Sequence, residues 1–288
     1  MKKRTSIFLT VAMSTTIFFW LSCSVDHGLS PLPGKLKATV VFNKEHPSDT
    51  EGIYLTVAPE FPPQAINMMF QSPNSLPIDQ DTVVHEIDLP YGHYEAVSLW
   101  WYSNNTESNL ADILAIPLDP FNRLLPRQFD ITEDAPVFEI TLYADWRKVQ
   151  RDAYIEGTIH FGSDFPTNTD ITAVAAFSLI PETSLEYLTQ MRAIDFSIGP
   201  ESRNWSAKNK TFKYRLPVRH GSIQLVALFW LPEHADLTDI QFVSFYADSS
   251  TQLPARLSLS EETTITDADI YVDWSTVENA KFEDDEKK

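Results

Sequence analysis

The sequence predicts an all-β chain folded as two tandem β-sandwiches, each with a short helix in one long connection. Three observations lead there. Apolar and polar residues alternate with period two through most apolar segments, which is the periodicity of strands. These segments are short and separated by breaks rich in Pro, Asn and Asp, a spacing that favours sandwiches. The chain also repeats itself in order across its two halves. A length of 288 residues fits two domains at the usual ~100–200 residues each.

The chain opens with Lys2, Lys3 and Arg4, then a mainly apolar run from Ile7 to Leu21, then small residues around Cys23. The run is shorter than the ~20 residues a spanning helix needs, so residues 1–22 read as a cleaved signal peptide. Cys23 is the only cysteine, which excludes an internal disulfide and a cysteine-built metal site. Leu21 and Ser22 ahead of Cys23 resemble the lipobox of bacterial lipoproteins, with Trp20 where that family usually carries Leu. The resemblance implies lipidation of Cys23 and, with Ser24 following it, sorting to the outer membrane. Residues 23–34 then form the lipidated cysteine and a polar, Pro-containing tether.

The composition narrows the partners. Against 40 acidic residues stand 22 basic ones, a net charge of −18. Nucleic acid is excluded, because phosphates call for a basic surface. A basic patch on anionic lipid is excluded for the same reason, leaving Cys23 as the expected membrane contact.

The repeat defines the folded part. "LKATVVFNKEHPSDT" (36–50) lies over "IEGTIHFGSDFPTNT" (155–169) without a gap, matching Thr39 to Thr158, Phe42 to Phe161, Pro47 to Pro166 and Thr50 to Thr169. "GHYEAVSLWW" (92–101) lies over "GSIQLVALFW" (221–230), which pairs Trp101 with Trp230. "LYADWRKV" (142–149) lies over "IYVDWSTV" (270–277). The expected domains are residues 35–150 and 151–278, joined almost without a linker, with a charged tail over 279–288.

Within each copy the strands follow. In "IEGTIHF", Ile155, Gly157, Ile159 and Phe161 share one face, opposite Glu156, Thr158 and His160. In the last strand of the first copy, Ile140, Leu142, Ala144 and Trp146 oppose Glu139, Thr141, Tyr143 and Asp145. In the second copy, Ala268, Ile270, Val272 and Trp274 oppose Asp267, Asp269, Tyr271 and Asp273. The repeated phrase is thus a closing strand: Trp146 and Trp274 plug the sandwich ends. Asp145 and Asp273 face outward before a turn, where a carboxylate accepts backbone N–H groups. Thr183 and Glu186 stand at capping-box spacing ahead of Leu185, Leu188 and Met191, which predicts a short helix, and "QAINMMF" is its counterpart in the first copy.

The strand that follows Gly92 or Gly221 is apolar on both faces. Either the long connection with its helix covers the second face, or that face is a docking surface centred on Trp101 and Trp230. Trp205, in the polar loop "ESRNWSAKNK", is a further candidate platform for a sugar ring.

A lipobox, paired sandwich strands and Gly-x-Tyr opening a strand (Gly92 to Tyr94) together resemble bacterial cell-envelope lipoproteins built from transthyretin-like or Ig-like modules. That resemblance covers nearly the whole mature chain. It implies a binding or structural module, with carbohydrate-binding and pilus- or adhesin-type roles as alternatives, because such modules serve all of these. The partner implied is an envelope protein or a glycan.

No enzyme motif appears: no Gly-x-Ser-x-Gly elbow, phosphate loop, Gly-x-Gly-x-x-Gly or His-Glu-x-x-His. "HEID" (85–88) lies in a strand pattern and lacks a second His. The seven histidines are scattered. Asp267, Asp269 and Asp273 on one strand face are spaced too far apart for the oxygen cage calcium needs. No catalytic residue, metal site or cofactor is expected.

Overall fold

The computed structural model describes residues 32–42, 46–64, 66–104, 109–196, 211–236 and 239–277. From Pro33 onward the chain forms one compact unit; Met1–Leu32 is a separate one, of which only Leu32 is described. Cys23, Trp205 and the charged tail lie outside the described residues.

The all-β expectation holds. The first half carries β1 (Gly34–Phe42), β2 (Thr50–Ala58), β3 (Phe70–Gln71), β4 (Thr82–Leu89), β5 (Gly92–Tyr94), β6 (Ala96–Ser103), β7 (Ile113–Ala115), β8 (Phe129–Ile131) and β9 (Val137–Ala144). The second carries β10 (Ala153–Phe161), β11 (Thr169–Phe177), β12 (Met191–Asp195), β13 (Thr211–Val218), β14 (Gly221–Ile223), β15 (Leu225–Pro232), β16 (Gln241–Phe245) and β17 (Leu257–Leu259). Its closing segment is split into β18 (Thr264–Ile265) and β19 (Ile270–Val272). The sheets match one for one. Orders β4-β1-β9, β3-β2-β6-β7 and β5-β8 in the first half answer to β13-β10-β18/β19, β12-β11-β15-β16 and β14-β17 in the second.

The alternation in β1 shows how sequence becomes sheet. Leu36, Ala38, Val40 and Phe42 are buried, while Lys35 and Lys37 between them stay outside. Those lysines pair across to Glu86 on β4 (2.7 Å) and Glu139 on β9 (2.8 Å). Both pairs are exposed and add little stability. The core does the holding. Ile53, Leu55 and Val57 of β2 and Val97, Leu99 and Trp101 of β6 meet the inner face of β1 and β9. In the second half Ile155, Ile159, Phe161, Val226, Leu228 and Trp230 do the same.

Each closing strand runs parallel to the first strand of its own copy. β9 pairs with β1 continuously from Lys35↔Val137 to Phe42↔Ala144. The matching segment in the second half departs from the continuous strand expected there. β18 pairs at Tyr154↔Thr264 and Ile155↔Ile265, and β19 resumes at Ile159↔Ile270. Between them Asp267 takes φ 62°, and the Ala268 carbonyl turns onto Gly157, where a Cβ would lie 2.2 Å from its oxygen. Only glycine fits there. Asp269 repairs the ladder, its carboxylate accepting the Thr158 N–H at 2.7 Å. The Tyr214 hydroxyl donates to the same Ala268 carbonyl at 2.5 Å.

The helix expectation is met in one copy only. α1 (Ser184–Gln190) starts at Thr183, with both capping-box bonds to Glu186 in place. Its counterpart is a single 3₁₀ turn, Ile66–Met68. "QAINMMF" lacks the cap-and-acid pair that satisfies the first N–H groups of a helix, so no longer helix is nucleated.

We expect Trp146→Ala and Trp274→Ala each to lower unfolding free energy by ~3–5 kcal/mol, the usual cost of emptying a buried aromatic site. Urea unfolding followed by circular dichroism checks this; a loss below ~1 kcal/mol would show that the plugs are dispensable.

Candidate functional site

The docking surface expected around Trp101 and Trp230 is not there. Trp101 is 2% exposed and Trp230 fully buried. Each indole points into its sandwich and donates Nε1–H to a threonine: Trp101 to Thr50 at 2.9 Å, Trp230 to Thr169 at 2.7 Å. Each threonine hydroxyl passes its own hydrogen to a proline carbonyl, Pro47 or Pro166, at 2.7 Å. The indoles went inward because β6 and β15 are central strands, with neighbours on both sides and packing on both faces.

The second face of β15 is covered from two directions. Leu225, Ala227 and Phe229 pack with Ala175, Phe177 and Met191, and Tyr187 of α1 stacks edge-on to both Phe177 and Phe229. Ala111 and Leu110, from a 3₁₀ turn of the first half (Leu110–Asp112), complete the cluster. One copy thus buries part of itself in the other.

Trp146 and Trp274 lie inside their sandwich ends, 5% exposed and fully buried. Trp146 stacks on Phe42 at 5.7 Å, and Trp274 stacks on Phe161 at 5.9 Å with Phe165 edge-on at 5.0 Å. Asp145 caps the 3₁₀ turn Trp146–Val149 through the Arg147 N–H. Asp273 caps Trp274–Thr276 through the Ser275 N–H and hydroxyl. Arg147 also grips Asp145 with two guanidinium bonds (2.7 and 2.8 Å), which holds that carboxyl below its ordinary range.

At position 46 the first copy carries His where the second has Phe165, and there a cleft opens. It is lined by the loop His46–Asp49, by the end of β9 and its turn, by the connector Gln150–Arg151, and by Arg219 and His220 of the β13–β14 hairpin. Its volume is about 1020 Å³, and it spans the junction between the copies.

Two devices build that junction. Arg151 donates to Lys148 and Gln150 carbonyls in its own connector, and to the Ala111 carbonyl and the Asp112 carboxylate (3.1 Å) in the first half. Asp112 is 3% exposed, and burial pushes its carboxyl up to about 6, against the pull of the Asn109 N–H and Arg151. Asp152 clamps the hairpin, accepting the His220 backbone N–H at 2.6 Å and meeting its ring Nδ1 at 2.7 Å. Gly221 follows at φ 132°, a backbone that suits glycine and sets the hairpin's bend. Glu261 lies 3.9 Å from the same ring nitrogen, but a cation gathered by Asp152, His220 and Glu261 would have to break the Asp152 clamp.

The cleft is cationic in an acidic protein. Arg147, Arg151 and Arg219 line it, and Arg192 on β12 acts electrostatically on Arg151, Arg219 and Asp145. Burial, with Arg192 beside it, pushes the Lys148 ammonium down to about 8. Sequence reading passed over these residues because they arrive from the first copy's end, the connector, β12 and a hairpin. The one cue was the run "WRKVQR" (146–151), where three of six residues are basic.

No protein-family model and no curated protein matches the chain. Among solved structures it is similar to a leucine-rich repeat protein from Bacteroides thetaiotaomicron, at 11% identity and TM-score 0.32, over 83% of this chain and 26% of that one. A streptococcal ancillary pilin matches at 12% identity and TM-score 0.20, over 83% of this chain and 62% of its own. A minor pilin of Streptococcus agalactiae matches at 9% identity and TM-score 0.22, over 86% and 99%. The chain spans about a quarter of the first and under two thirds of the second. Chains this distant superpose too loosely to transfer a role.

Two outcomes are expected at the junction. Asp112→Asn strands the buried Arg151 guanidinium and should cost ~3–5 kcal/mol, read as a lowered unfolding midpoint. Lys148 keeps its proton to about 8 when folded and to about 10.5 when unfolded, so across that window the unfolded chain holds more protons. Stability should therefore rise with pH between those values. Lys148→Met should remove that rise in urea midpoints measured from pH 7.5 to 10.5.

Proposed function

We propose that the chain is a lipid-anchored protein of the bacterial envelope, held at the outer membrane through Cys23. Its folded part serves as a non-catalytic binding or structural module. In this reading residues 1–22 are removed, residues 23–34 form the anchor and tether, and residues 35–150 and 151–278 are two sandwich domains.

The closing strands are the observation that carries the module reading. β1 already has β9 beside it, and β10 already has β18 and β19. A pilus subunit completed by a neighbour's strand needs a vacancy at such a position. A self-contained module does not. The pairing therefore favours display or binding over strand exchange. The two indoles first considered as sugar platforms are consumed by the core, so a glycan partner would have to be met elsewhere, and the junction cleft is the place with exposed polar groups to meet it.

The anchor is tested in a bacterium with two membranes, by metabolic labelling with an alkyne-tagged fatty acid. Wild type should carry the label and pellet with outer membranes, and Cys23→Ser should lose both properties. A Cys23→Ser protein that still carries label would remove the anchor from the reading. Affinity capture from envelope extracts then identifies the partner.

A further inference from the structure

We propose that the junction cleft is a binding site for a multiply charged tetrahedral oxyanion, a phosphate or sulfate group, seated against Arg219 with Lys148 and Arg192 behind it. The proposal rests on the binding-module reading and names the ligand chemistry of that module.

The charge balance is the first argument. The carboxylates around the cleft are already engaged: Asp145 by Arg147, Asp112 by Arg151, and Asp152 by His220. Among the described residues no carboxylate forms an ion pair with Lys148, Arg192 or Arg219. The Arg192 guanidinium reaches only the Thr189 and Met191 carbonyls, at 3.0 and 2.9 Å. The buried Nε–H of Arg219 has no hydrogen-bond partner. Three cations gathered without counter-charge, in a chain of net charge −18, repel one another at a cost that a bound anion would relieve.

The setting is the second argument. The three are partly desolvated, and burial lowers both the Lys148 ammonium and the Arg192 guanidinium. Charge–charge attraction is several-fold stronger in such surroundings than in bulk water. Guanidinium forks match the geometry of phosphate and sulfate oxygens, and an ammonium adds a point charge behind them. The cleft is also far larger than one ion requires. Tyr143, 64% exposed, lines the wall and offers a flat ring to whatever carries the charged group.

The test is isothermal titration calorimetry on the full lipidated chain in detergent, at pH 7 and low salt. The probes are inorganic phosphate, inorganic sulfate, a sulfated tetrasaccharide and the same tetrasaccharide without sulfate. At least one charged probe should bind, and the neutral sugar should not. Arg219→Gln and Lys148→Gln should each weaken binding by about 10-fold or more, the scale of one charge-assisted hydrogen bond. Lys213→Gln, on the exposed side of β13, should leave it unchanged. Arg219→Lys, which keeps the charge, guards against loss through misfolding and should retain part of the affinity. If the inorganic ions bind as tightly as the sulfated sugar, the source is a free ion. Tighter binding of the sugar, lost in Tyr143→Ala, assigns a sugar-borne group. Either result supports the site. No binding of any charged probe at millimolar concentration overturns it, as does unchanged affinity in both glutamine variants. Failure here leaves the anchor untouched, and loss of fatty-acid label in Cys23→Ser does not bear on the cleft.

Discussion

In each half of the molecule an indole N–H sits in a dry core and must find an acceptor. Leaving such a group unpaired costs ~1–3 kcal/mol. Trp101 and Trp230 meet the demand in the same way, through Thr50 or Thr169 and on to the Pro47 or Pro166 carbonyl. The relay fastens the turn between the first two strands to the central strand of the opposite sheet side. The chain end of β1 or β10 is held over the indole, and Phe42 or Phe161 is presented to the plug, Trp146 or Trp274. The three residue types that make the relay recur at matching positions in both copies. Trp146 and Trp274 lack this provision, since their buried Nε1 atoms have no partner among the described residues. Their stacking and burial have to outweigh that cost.

The two copies differ where each meets the rest of the molecule. The first ends in a continuous β9, followed by a basic turn and the connector that holds Arg151 against Asp112. The second breaks its closing segment over Gly157 and compensates with Asp269 and Tyr214. The first copy has His46 where the second has Phe165, and the cleft lies on the His side. Sequence drift between the repeats thus coincides with the junction and its cleft, while the relay and the plug stay the same.

The strand faces could be read from the sequence because period two is a local property. Leu36, Ala38, Val40 and Phe42 fall inside whatever lies beside them. The Thr183–Glu186 cap was legible for the same reason, all its partners lying within one turn. Other features turn on contacts between residues far apart. The break at Asp267–Asp269 depends on Tyr214, some fifty residues earlier, and on Gly157, over a hundred earlier. The direction of the closing strands was likewise not written in their alternation, which is the same for parallel and antiparallel pairing. The Trp101 and Trp230 side chains looked available because both faces of their strands are apolar. Only the covering elements, α1 and the Leu110–Asp112 turn above β15, settle what that pattern means there.

The sequence by itself determined the duplication, the strand faces, the caps at Asp145, Asp273 and Thr183, and the one cysteine position that suits an anchor. Each of these rests on spacing along the chain or on a single residue's chemistry. The tertiary structure decided that β9 and β19 lie parallel to their partners, that the indoles are core, and that one copy is bolted into the other by Arg151. It also decided where the unpaired cations gather. Arg219, Arg192 and Lys148 stand 27 to 71 positions apart in sequence, counted from the numbering. No local pattern joins them. They meet because a connector of three residues, Gln150–Asp152, forces the end of one sandwich against a hairpin of the next.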